Sequence, residues 1–167
     1  MEEYCKSLGF HVISNLTQVP IISGAVCAID IDETLFKSTR VVHHDRLVTT
    51  KLIFCHPDIP QWLEKAKKRM DVIFITARRP EDEEVTLQQF EAMGLPFYPT
   101  CFTTNKGLSL KNYLEQKEER YTEVLFVDDL DENIRTVKTH CPKTFCYRVD
   151  SNLHDKLVRR FTRRKSF

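Results

Sequence analysis

Three carboxylates stand within four positions at Asp30, Asp32 and Glu33, in the run VCAIDIDETLF (26–36). With Ala25 before the run, five residues suited to a buried strand (25–29) lead straight into them, so the chain carries negative charge to the end of an apolar segment. Like charges repel there, and desolvation penalises each one. A second apolar run, EVLFVD (123–128), ends in Asp128 with Asp129 behind it. A divalent cation beside a phosphoryl group would account for both clusters. A hard ion such as Mg²⁺ takes oxygen ligands, and a carboxylate can attack phosphorus, dividing one hard displacement into two easier ones. Two more residues suit that chemistry. Thr76, at the end of DVIFIT (71–76), offers a hydroxyl, and Lys106, in TNKGLSLKNYL, offers a point charge to the equatorial oxygens. Lys111 is a rival for the lysine role, since both fall near the same helix start.

Asp32 lies two residues after Asp30. In an extended strand both side chains would face the same way, but just past the strand end the backbone can turn and re-aim one. Asp32 would then be placed to protonate a leaving-group oxygen and later to take a proton from water. Arg78 and Arg79 follow Thr76 at a helix entrance, where an anion is welcome, so Arg78 is a candidate substrate contact. Salt bridges to the neighbouring EDEE run (81–84) explain the two arginines equally well.

These side chains must be brought together by the elements around them. AVCAID (25–30), DVIFIT (71–76) and EVLFVD (123–128) are continuous apolar runs rich in β-branched residues, the pattern of strands covered on both faces. Helical periodicity predicts helices over 58–69, 81–93, 106–118 and 130–139, with Asp129 as a cap for the last. Two weaker strands are expected in LPFYPTCFT (95–103), an edge strand because of its prolines, and in KTFCYRV (143–149), the opposite edge. The alternation predicts an α/β fold, a doubly wound, mostly parallel five-stranded sheet in a three-layer sandwich. In such a sheet ligands bind beyond the carboxyl ends of the strands, near a switch in strand order. Asp30, Asp32, Thr76, Asp128 and Asp129 all stand at expected strand ends.

The ordered set DIDET, FITAR, NKG and VDDLDEN resembles the four motifs of haloacid dehalogenase superfamily phosphatases, over residues 25 to about 135. The resemblance implies Asp30 as nucleophile, Asp32 as general acid/base, Thr76 as the second-motif hydroxyl and Lys106 as the third-motif lysine. It implies Asp30 and Asp128 as metal ligands, with Mg²⁺ also held by the backbone carbonyl of Asp32. Asp129 matches the second acidic position of the fourth motif, acting through water or by orienting Lys106. A dehalogenase needs no acid at the position of Asp32, and a phospho-receiver domain has its hydroxyl and lysine after the second acidic group. A binding module without catalysis would be expected to lack Asp30 or Asp32.

Each residue also has a plainer reading. An acidic strand end is often a solvated turn, Thr76 could cap the helix near Pro80, and lysines on helices are usually solvated. His43, His44 and Asp45 have no third ligand at a recognisable spacing, so solvent exposure is their expected state. Residues 37–57 exceed the usual loop, and alternation in RLVTTKLIF points to a β-hairpin flap, basic and aromatic through His43, His44, Arg46 and Phe54. Between Thr76 and Lys106 a helix and a strand use up the chain, leaving no cap domain. In this superfamily capless members act in open sites on large substrates. The expected partner is thus a phosphorylated protein or other macromolecule, with a small metabolite as the alternative.

The 167 residues suit one domain, 1–167, with the flap at 37–57 and a basic tail at 156–167. A formal charge of +1 disfavours a general polyanion binder, so nucleic acid is not the expected partner. No segment reaches the roughly 18 apolar residues of a membrane span, and the N-terminus lacks the order of a signal peptide. Six cysteines with no CxxC pair suit a reducing, cytoplasmic setting.

Overall fold

The structure is a computed structural model that describes residues 4–5, 9–43, 46–117 and 120–153; of 4–5, 39–43 and 46–51 it describes the backbone alone. Among them run β1 (Tyr4–Cys5), β2 (Phe10–Ile13), β3 (Val26–Ile29), β4 (Phe36–His43), β5 (Arg46–Phe54), α1 (Ile59–Lys67), β6 (Asp71–Thr76), α2 (Glu83–Ala92), β7 (Thr100–Phe102), α3 (Lys106–Gln116), β8 (Val124–Asp128), α4 (Asp131–His140) and β9 (Phe145–Val149). The main sheet has the order β1-β2-β9-β8-β3-β6-β7, and every pairing in it is parallel except that of the two-residue β1 with β2. It therefore has seven strands rather than the expected five. The additions come from the N-terminal segment, and they change the place of β9. Flanked by β8 and β2, β9 is interior and not the opposite edge, while β7 is an edge as its preceding prolines require.

All four residues of β3 are fully buried, and alternate side chains serve two cores. Cys27 and Ile29, with Val72, Phe74, Leu125 and Val127, face Trp62 and Leu63 of α1 and Phe90 of α2. Val26 and Ala28, with Ile73, Ile75 and Phe126, face Leu110 of α3 and Ile134 and Val137 of α4. This is a three-layer sandwich, and it explains why the runs are apolar without alternation. Burying side chains the size of Phe74 or Phe126 stabilises the fold by about 1.5–3 kcal/mol each.

Helix ends obey local chemistry. In α1 the buried positions Ile59, Trp62, Leu63 and Ala66 form one stripe behind Pro60 in the first turn, and Lys65 and Lys67 sit in the last. The segment after Arg79 begins as a short 3₁₀ turn (Pro80–Asp82), and α2 follows with Glu83 and Glu84 in its first turn. It stops at Gly94, whose φ of 74° permits Leu95 N–H to bond back to Phe90 O at 3.0 Å. Asn105 caps α3, its side chain accepting from Leu108 N–H at 3.1 Å. Asp129 is not the cap of α4, which starts after Leu130.

The hairpin β4–β5 pairs Phe36 with Phe54 at its base, where their rings lie 5.0 Å apart and Phe36 also meets Phe90 at 5.9 Å. Phe54 is thus a packing residue. The His44–Asp45 pair and the tail 156–167 lie outside the described residues, as do the side chains of His43 and Arg46. Among the described residues no helix is long and apolar enough to cross a membrane.

The chain moves outward from β3 to β6 and β7, then returns through α3 to β8 on the other side of β3. The switch in strand order therefore falls between β3 and β8, with Asp30 following one and Asp128 ending the other.

Candidate active site

Asp30 continues the β3–β8 ladder, its N–H donating to Val127 O at 2.9 Å, so its side chain emerges beside Asp128. The next turn is tight: Ile31 O accepts from Leu35 N–H at 2.9 Å and Phe36 N–H at 3.1 Å, and Ile31 and Leu35 are fully buried. Glu33 lies at φ 64°, a left-handed conformation that costs a non-glycine residue free energy. That strained turn brings Thr34 back over Asp30, and its hydroxyl donates to Asp30 Oδ2 at 3.1 Å.

Lys106 is 1% exposed, and its Nζ lies 2.6 Å from Asp30 Oδ1 and 2.7 Å from Asp128 Oδ2. It enters from the first turn of α3, which can approach because Gly107 has no side chain. A Cβ there would meet Thr136 O of α4 at 2.1 Å. Lys111 is exposed and takes no part. An ammonium carries three N–H donors, so one is left to point at a ligand. Asp128 is fully buried, and Asn133 Nδ2 reaches both its oxygens at 3.2 and 3.1 Å while Leu130 N–H donates to Oδ1 at 3.0 Å.

Asp30, Asp128 and Asp129 each offer a carboxylate oxygen, and these oxygens lie within 4.8 Å of one another. With all three ionised, the carboxylates would leave two negative charges in excess of the single charge of Lys106. The burial that isolates Asp30 raises its carboxyl to about 8, Asp128 adds to the rise, and Lys106 opposes both. Asp129 is also raised, first by burial and then by the charge of Asp128. Burial alone would lower the Lys106 ammonium, but its two carboxylates outweigh that and raise it. A cluster of hard oxygen donors that needs further positive charge before all its carboxyls ionise fits a divalent cation, with Asp30, Asp128 and Asp129 to hold it.

The turn re-aims Asp32, while Arg78 and Asp129 sit differently from the expectation. The Asp32 carboxylate lies outside the cluster, 55% exposed, paired with Arg78 through Nη2–Oδ1 at 2.8 Å and Nε–Oδ2 at 2.9 Å. Arg78 accordingly faces Asp32 rather than an open anion site, whereas Arg79 pairs with Asp82 of the EDEE run at 3.4 Å. Asp129, expected to work at one remove, stands in the cluster itself. Thr76 is fully buried at the end of β6, the neighbour of β3. It caps no helix: its Oγ1 accepts from Arg78 N–H at 3.1 Å.

Sequence reasoning assigned no role to Thr34 or Asn133. The spacing of Thr34 four residues after Asp30, across a turn, was an available signal; Asn133 had only its place in the first turn of α4. A cavity of about 220 Å³ opens beside the cluster, lined by Glu33, Asp129, Arg148, Val149, Asp150 and Ser151. Only Val149 in that lining is apolar.

A family described as "Protein of unknown function (DUF2608)" matches residues 100–145, from β7 to the start of β9. The match spans less than half of the chain. No curated protein matches it. A solved structure described as "Structure of Pnkp1/Rnl/Hen1 complex" is similar at 12% identity and a TM-score of 0.49, covering 82% of this chain and 51% of that one. This chain thus spans about half the length of that chain, and a likeness of that degree carries no argument about activity.

Proposed function

We propose that this chain is a Mg²⁺-dependent phosphomonoester hydrolase of the haloacid dehalogenase type, working through an aspartyl-phosphate on Asp30. The observation that supports it best is the buried insertion of Lys106 Nζ between Asp30 at 2.6 Å and Asp128 at 2.7 Å, with Asp129 alongside. A stable fold gains little from burying such charge, because desolvation offsets the attraction between the ions. A site that must meet a phosphoryl group has reason to keep it.

Asp30 supplies the attacking oxygen, held in aim by the Thr34 hydroxyl and by Lys106. As an Asp30 oxygen bonds to phosphorus, the bond to the leaving oxygen breaks, and Asp32 delivers the proton that oxygen needs. Water then attacks the aspartyl-phosphate, Asp32 takes its proton, and Asp30 is released. Lys106 and the Thr76 hydroxyl stabilise charge on the equatorial oxygens. When bound, Mg²⁺ supplies charge neutralisation between Asp30 and the incoming phosphate. The substrate we favour is a phosphorylated protein or other macromolecule, since a helix and a short strand occupy the chain between Thr76 and Lys106, leaving no cap domain there to enclose a metabolite.

The test is hydrolysis of p-nitrophenyl phosphate by the purified chain with Mg²⁺, with chelator, and as Asp30→Asn. Turnover is expected with the metal only, and its loss in the variant should exceed about 10³-fold. Activity that persists in chelator would remove the metal from the scheme. Stoichiometric labelling by acetyl phosphate without turnover would instead indicate a phospho-receiver module.

A further inference from the structure

We propose that Arg78 is a positioning residue that sets the aim of Asp32, and that α2 is the element against which the aim is set. The proposal rests on the hydrolase reading above and deepens it. Residues 32 and 78 are 46 positions apart, yet the guanidinium meets both carboxylate oxygens in parallel, at 2.9 Å through Nε and 2.8 Å through Nη2. The third nitrogen, Nη1, donates to Thr86 Oγ1 at 3.2 Å and to Gln89 Oε1, both on α2. The Arg78 main chain is tied as well, its N–H donating to Thr76 Oγ1 at 3.1 Å.

The two partners are unequally held. The Arg78 side chain is 16% exposed and anchored on α2, whereas Asp32 is 55% exposed. Between them, the arginine is the fixed object and the aspartate is the group that is fixed. An ion pair this exposed contributes about 0–1 kcal/mol to stability, so stability is a poor account of a four-residue arrangement. A planar fork does supply orientation, because a bidentate pair defines the plane and rotamer of the carboxylate.

Proton transfer needs that orientation. As the phosphorus–oxygen bond to the leaving group breaks and the Asp30–phosphorus bond forms, the proton must pass from an Asp32 oxygen to the departing oxygen. Each carboxylate oxygen has two lone-pair sites, so the fork occupies one on each and leaves the other for the transfer. In this first step the need is greatest where the leaving oxygen is a poor leaving group and nearly absent where it departs unaided, whereas the later attack of water is common to every ester.

The experiment compares wild type with Arg78→Ala and Gln89→Ala on two esters, an alkyl phosphate such as phosphoserine and p-nitrophenyl phosphate, with Mg²⁺ and with melting curves to verify folding. In Arg78→Ala, kcat/KM for the alkyl ester, which reports transfer of the phosphoryl group to Asp30, should fall by up to about 100-fold while kcat/KM for the nitrophenyl ester changes little. Gln89→Ala, which loosens only the anchor, should show the same selectivity at smaller size. Arg78→Lys should not restore the alkyl rate, since a lysine cannot make the fork. Equal losses of kcat/KM on both esters would overturn the positioning role and make Arg78 a substrate contact or a structural residue. A wild type inactive on both esters would bring down the hydrolase reading itself, and the proposal with it.

Discussion

Two charged arrangements lie close together at the carboxyl end of the sheet, and they are built on opposite terms. On the floor, Lys106 is 1% exposed between Asp30 and Asp128, at 8% and 0%. At the rim, the Arg78–Asp32 pair is 16% and 55% exposed. The floor pays full desolvation, so every group in it depends on its partners. The rim stays solvated and its energy is screened. The contrast teaches where each kind of residue is useful: a buried cluster holds charge at fixed positions, whereas a solvated carboxylate on a fork can exchange protons with what arrives.

Breaking the floor should have the largest effect on stability. Lys106→Met strands Asp30 and Asp128 without their cation and should cost about 3–5 kcal/mol, read from denaturant unfolding, as removal of one partner from a buried ion pair does. A loss under about 1 kcal/mol would mean that the floor is as solvated as the rim. Next comes Gly107→Ala, which removes no charged group but drives a methyl against Thr136 O. The 2.1 Å approach to a backbone atom forces α3 and α4 apart, at about 1–3 kcal/mol, and moves Lys106 with α3. The smallest stability effect belongs to the rim. Asp32→Ala should change unfolding free energy by no more than about 1 kcal/mol. Its turnover should nevertheless fall by about 10²- to 10⁴-fold on esters with poor leaving groups. If Asp32→Ala leaves the rate unaltered, its role as acid and base is refuted.

The parts of the fold that could be read in advance are those whose burial leaves a local mark. β3, β6 and β8 are covered on both faces, so their residues are apolar without interruption, and each helix shows its stripe or its caps. β2 leaves no such mark. FHVI is buried only at its two ends, and β1 has two residues, so neither rises above an irregular N-terminal segment. Missing β2 also misplaced β9, since a strand with no expected neighbour on its outer side looks like an edge. The hairpin, by contrast, was visible through alternation in RLVTTKLIF, which is the whole of β5.

The candidate site divides in the same way. Asp30, Thr76, Lys106 and Asp128 were visible as polar residues ending apolar runs or starting a helix, because those places are where a sheet of this kind exposes ligand groups. Which carboxylates share a cation was not visible. Asp129 was expected to act at one remove, and nothing local places its carboxylate beside those of Asp30 and Asp128. Asp32 is drawn out of the cluster by an arginine 46 residues away, and Asp129 remains in it.

Taken by itself, the order of residues determined the layered α/β class, the strands that carry acids to their ends, and the identity of the charged groups available. These follow from periodicity and from short-range backbone chemistry, which act over a few residues. Only the tertiary structure decided which of those groups lie within bonding distance: Lys106 over Lys111, Asp129 beside Asp30, Arg78 against Asp32. Such pairings depend on the return of the chain through α3 to β8 and on the close approach of α3 to α4 at Gly107, and distances of that kind are set by packing between segments far apart in the chain.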